Sequence, residues 1–134
     1  MWSLVSQRWA GGKFSPARYV WQEDIDFSRC LLTYGRIVKN QELCGVHLGV
    51  RSGRTSDVRF GYSQVANPIY LVRKGSMSWG HVIGLICRNL TANLVRSFCP
   101  EAWIDRRGRL KGNLLALVDA LTGRVSPLRV LQID

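Results

Sequence analysis

Between Ser76 and Pro100, apolar side chains recur at Ile83, Ile86, Leu90, Leu94 and Phe98, in steps of three, four, four and four. An α-helix puts residues with that spacing on one side. Ser76 or Ser78 can cap its start, because a short hydroxyl accepts the free backbone N–H groups of a first turn. Pro100 ends the helix or begins a short second turn through Trp103. A helix with a single apolar stripe must lay that stripe on another element, so the character of the flanking segments decides the fold class.

Those segments have the period of strands. Residues 18–22 alternate Tyr19 and Trp21 against Val20, and residues 30–39 form a longer strand with Gly35 at a bulge. Two more strands, 43–50 and 58–65, flank a Ser/Gly/Asp loop at 51–57. Asn67-Pro68 interrupts the pattern, and residues 69–73 resume it. Near the end, 114–118 is a compact apolar run and 119–123 supplies turn chemistry, with Gly123 free to take positive φ. Residues 124–133 then return as a strand, with Pro127 at an edge or bulge. The expectation is α+β: a mainly antiparallel sheet covered by one long helix, with a C-terminal hairpin. The alternative for the last element is a helix over 110–121, ended by Gly123, in place of the hairpin's first strand.

The 134 residues fit one domain. Gly11-Gly12 and Pro16 set off residues 1–12 as an N-terminal appendage, in which Trp2, Val5 and Trp9 recur at helical spacing. No apolar run approaches the roughly 20 residues a membrane span needs. The cysteines Cys30, Cys44, Cys87 and Cys99 show no C-x-x-C spacing, and His47 and His81 add no close ligand pair. A zinc site is therefore not expected, nor any cofactor. Without a secretory signal, the expectation is a cytoplasmic or nuclear protein with free, mostly buried thiols.

Charge is the strongest pointer to function. Nineteen Lys and Arg face nine Asp and Glu, a formal net charge of +10. Most of the cations are arginine, whose planar, weakly hydrated guanidinium meets phosphate oxygens in bidentate fashion. If strands 43–50 and 58–65 pair, their outward face carries His47, Arg51 and Arg59, the loop tip adds Arg54, and the result is a flat basic platform. A second cluster, Arg106, Arg107, Arg109 and Lys111, is broken by Gly108 and Gly112 and has the composition of an exposed loop.

Three functions fit this pattern. The first is a small nucleic-acid-binding protein, with RNA or single strands favoured because a basic sheet face and loops suit them better than a duplex groove. The second is a peripheral membrane or assembly protein of the viral matrix type, holding anionic surfaces through its charge and through Trp2, Val5 and Trp9, with homo-oligomers possible. The third is a small metal-independent ribonuclease with His47 as acid or base and Arg51 and Arg59 holding developing charge. The only acidic cluster, Glu23, Asp24 and Asp26, is a poor basis for metal-dependent cleavage.

Overall fold

The computed structural model describes residues 22–42, 44–46, 55–99 and 101–133. The elements among them are helical: α1 (Glu23–Leu31), α2 (Asp57–Arg73), α3 (Trp79–Arg96), α4 (Arg106–Leu121) and a closing 3₁₀ helix, Pro127–Gln132. The expected antiparallel sheet is absent from the described residues, whose one β feature is an isolated bridge between Glu101 and Ile104.

Each expected strand that falls on described residues is corrected. Cys30 and Leu31 end α1, and residues 36–40 are irregular. The strands at 58–65 and 69–73 are both parts of α2, which runs straight through Asn67 and Pro68. Pro68 costs that helix one i→i−4 hydrogen bond without ending it. The C-terminal hairpin is replaced by the alternative, a helix, which starts at Arg106 rather than 110. Residues 124–133 form an irregular turn and the 3₁₀ helix instead of a returning strand. Strands 18–22 and 43–50 lie mostly outside the described residues, and Trp2, Val5, Trp9 and all of 1–12 lie wholly outside them.

Helix α2 explains the largest misreading. Ser56 caps it, its hydroxyl accepting from the Arg59 N–H at 3.3 Å, and Asp57 places a carboxylate in the first turn. Every residue from Gly61 to Ile69 is buried, so this helix has no polar face to mark its period. It packs parallel to α4 at backbone distance. A Cβ on Gly61 would stand 2.7 Å from the carbonyl carbon of Arg109, and one on Gly112 would stand 2.6 Å from the backbone nitrogen of Tyr62. Glycine is needed at both positions because nothing larger fits between the two backbones. Around this contact Tyr62, Val65, Ala66 and Ile69 meet Ala116, and Val125, Val130 and Ile133 of the closing segment complete the core.

Helix α3 forms where the apolar spacing placed it, with Ser78 at the N-cap position but without a side-chain capping bond. Ser76 instead donates its hydroxyl to Asp26 at 3.0 Å. Asp26 is fully buried and also accepts from Lys74, so one carboxylate ties α1 to the turn between α2 and α3.

The junction of α2, α3 and α4 is polar. Asn93 Nδ2 donates to Gln64 Oε1 at 2.9 Å and to Asn113 Oδ1 at 2.8 Å, while Asn113 Nδ2 donates to the Gly61 carbonyl at 2.7 Å. Each helix contributes one buried amide, and each amide finds partners on the others. Such a network fixes the register of three helices, since sliding any one would leave buried amides unsatisfied.

Candidate nucleic-acid interface

The basic run from Arg106 to Lys111 is the first turn and a half of α4, not a loop. Asp105 caps it, accepting from the Gly108 N–H at 2.8 Å. Because α4 runs parallel to α2 and antiparallel to α3, this end gathers both helix starts and the end of α3. The antiparallel pairing is set by Asn93 with Asn113, and beside it the exposed Arg107 donates Nε–H to the Ser97 carbonyl at 3.3 Å. An open cleft of about 370 Å³ lies here, lined by Arg96, Ser97, Glu101, Ile104, Asp105, Arg106 and Arg107.

The cations of the run divide into two kinds. Arg106 makes a two-pronged pair with Glu101, at 2.9 and 3.1 Å, and its third nitrogen reaches Asn93 Oδ1 at 3.4 Å. That pairing holds the Glu101 carboxyl below the ordinary carboxylate range. Arg109 donates Nε–H to Asp57 at 2.6 Å and lies over the Phe60 ring, 4.5 Å from its centroid. Both guanidinium groups brace the helix junction. Arg107 and Lys111, one turn apart, are exposed, and Arg96 beside them is exposed as well.

Arg59 stands in α2, with Nε donating to the Ile133 carbonyl at 2.5 Å. The sheet face that was to unite it with His47 and Arg51 is not formed at Arg59, while His47, Arg51 and Arg54 lie outside the described residues. His81 is exposed on α3 beside Gly80, Gly84, Leu85 and Arg88, in a shallow cleft of about 310 Å³. The four cysteines are free, but Cys44, Cys87 and Cys99 are exposed and Cys30 is half-buried, correcting the expectation of buried thiols. Among the described residues, no helix is long and apolar enough to cross a membrane, and no group of His, Cys, Asp and Glu could hold a metal ion.

Reading the sequence in isolation missed Arg96 as a member of this cluster and missed the engagement of Arg106 and Arg109. Glu101, five residues before Arg106, was a usable signal for the first pair. Asp57 is 52 residues from Arg109 and gave none.

The carboxylates determine what the surface presents. Asp26, Asp57, Glu101 and Asp119 pair with Lys74, Arg109, Arg106 and Arg129, all within the fold. Arg29, Arg36, Lys39, Arg73, Arg88, Arg96, Arg107, Lys111 and Arg124 are exposed, and none forms an ion pair with a described carboxylate. The only other exposed acids among the described side chains are Asp24, Glu42 and Asp105. The chain matches no family model, no curated protein and no solved structure.

Proposed function

We propose that this chain is a helical nucleic-acid-binding protein that holds phosphates through exposed arginine and lysine, with Arg96, Arg107 and Lys111 as the central cluster. The observation that carries this reading is the internal pairing of carboxylates. It engages four of the seven described acidic side chains with cations of the fold and leaves nine exposed cations without an ion pair to a described carboxylate. A surface of this kind attracts a polyphosphate at long range and contacts it without base readout. A preference for single strands requires a flat sheet platform, and its expected strand 58–65 lies in helix α2, so phosphate charge is the recognised feature and single-stranded RNA and duplex DNA both serve as probes.

The test is fluorescence anisotropy with a labelled RNA strand over a salt series. Each phosphate neutralised on a single strand adds about 0.7 to the steepness of log K against log salt. Replacing Arg96, Arg107 and Lys111 together with Gln should reduce the steepness by about 2 and leave the helical circular dichroism intact. Wild-type binding without salt dependence, or a triple variant with an unchanged slope, refutes the proposal.

A further inference from the structure

The fold takes up only part of the apolar stripe that identifies α3 in the sequence. Val82 and Asn93 are the buried positions of α3, and Ile86 packs against the core. Ile83, Leu94 and Phe98 follow the neighbouring side of the helix and are exposed. Helix α4 repeats this arrangement. Its buried line is Gly108, Gly112, Ala116 and Asp119, while Leu114, Val118 and Leu121 are exposed on another side. The antiparallel pairing of α3 and α4, with Ile86 and Leu117 both packed on the core, sets these two outer stripes on either side of one seam. The exposures run from 50% at Leu94 to 89% at Leu121, and Trp79 extends the face at the start of α3. None of these positions is charged.

We infer that the outer face of the α3–α4 pair is the interface of a homodimer, in which two copies bring their α3–α4 pairs together as a four-helix layer. The area supports a second copy as occupant. Fully exposed side chains of these kinds present roughly 100–200 Å² each, so the half- to fully exposed set amounts to on the order of 500 Å² of apolar surface. A standard interface buries about 800 Å² per partner, of which about 65% is apolar in homodimers, which again is about 500 Å². A patch of this size is at the upper end of what monomers leave in water. The apolar part of this face pairs with its own copy under a two-fold axis, as an interface between identical surfaces must, while Arg107 and Lys111 continue the α4 stripe at its start. Arg107 and Lys111 stand at its rim, so two such copies repel until salt screens them.

Analytical ultracentrifugation from micromolar to hundreds of micromolar, at about 0.15 M and about 1 M salt, tests the inference. The expected result is a monomer–dimer equilibrium that tightens with salt, opposite in sign to the salt dependence of nucleic-acid binding, so the two readings fail separately. Leu94→Glu and Leu121→Glu, both at exposed positions, should each weaken the dimer by tenfold or more while retaining the wild-type circular dichroism. Val118→Gln is a milder variant with the same expected direction. Three outcomes would overturn the inference. One is a wild-type chain that stays monomeric at the highest concentration and salt. Another is a dimer indifferent to all three substitutions. The third is a monomer that sediments with phosphatidylserine vesicles and loses that binding in the same variants, which would give the face to a lipid surface.

Discussion

Replacing glycine with alanine inside a helix ordinarily stabilises it by about 1 kcal/mol, because glycine loses the most backbone freedom on folding. The fold predicts that this sign reverses at Gly61 and Gly112 and holds at Gly84. A Cβ at Gly84 meets nothing within 4 Å, so Gly84→Ala should stabilise by about 0.5–1 kcal/mol. A Cβ at Gly61 falls 2.7 Å from the Arg109 carbonyl carbon, where carbon atoms pack at about 3.5–4.0 Å, so α2 and α4 must part by about 1 Å. Overpacking of this kind costs about 1–3 kcal/mol. The separation also strains the bond from Asn113 Nδ2 to the Gly61 carbonyl, where an unsatisfied buried group costs a further ~1–3 kcal/mol. After the gain in helix propensity, Gly61→Ala should destabilise by about 3 kcal/mol, a drop of roughly 10 °C in a chain of this size. Gly112→Ala should do the same by pressing on Val58 and Tyr62. Thermal and urea unfolding followed by circular dichroism give the three values. If Gly61→Ala or Gly112→Ala stabilises as Gly84→Ala does, the close parallel packing of α2 on α4 is wrong.

Asp26→Ala leaves Lys74 half-buried without its counter-charge and should cost about 3–5 kcal/mol in a urea melt, whereas Asp24→Ala on the exposed side of α1 should cost less than about 0.5 kcal/mol. Tyr62 donates its hydroxyl to Asp119 at 2.9 Å, and burial with that bond pushes its pKa up to about 12. The folded chain therefore keeps this proton longer than the unfolded one. The stabilisation is complete below about pH 10 and is lost as pH rises toward about 12, by about 2–3 kcal/mol in all. An ultraviolet tyrosinate titration should show a late step that disappears in Tyr62→Phe, and a Tyr62 step near the ordinary tyrosine value would refute the burial argument.

The parts of the fold legible in the sequence were those with a polar side. Helix α3 alternates buried, apolar and polar positions along its turns, so its period stood out even though Ile83, Leu94 and Phe98 of the stripe that revealed it are exposed. Helix α2 gave the opposite impression. Val58, Phe60 and Tyr62 alternate over five residues as in a strand, and no polar face contradicts them because the helix is enclosed from Gly61 to Ile69. Gly108 and Gly112 were read as breaks in a loop. Their cost to a helix is visible in sequence, but the compensating approach of a second backbone is not, since Gly61 and Val58 lie about fifty positions upstream.

The same sequence distance hid the division of the basic residues. Composition yields an average charge, whereas binding depends on which charges remain at the surface after folding. Arg106 and Arg107 are neighbours, yet a helix turns successive side chains about 100° apart, so one reaches Glu101 and Asn93 while the other is exposed and donates to the Ser97 carbonyl. Arg109, one turn beyond Arg106, reaches α2 and Asp57. A run of cations on a helix is thus divided between bracing the fold and meeting a ligand. The two roles separate experimentally. Arg109→Gln should lower stability by about 1–3 kcal/mol, because it removes a charged hydrogen bond at the helix junction. It should leave the salt slope of nucleic-acid binding unchanged. Arg107→Gln should lower that slope by about 0.7, with stability altered by no more than about 0.5 kcal/mol. If the two substitutions exchange these effects, the division of roles drawn from the ion pairs is wrong.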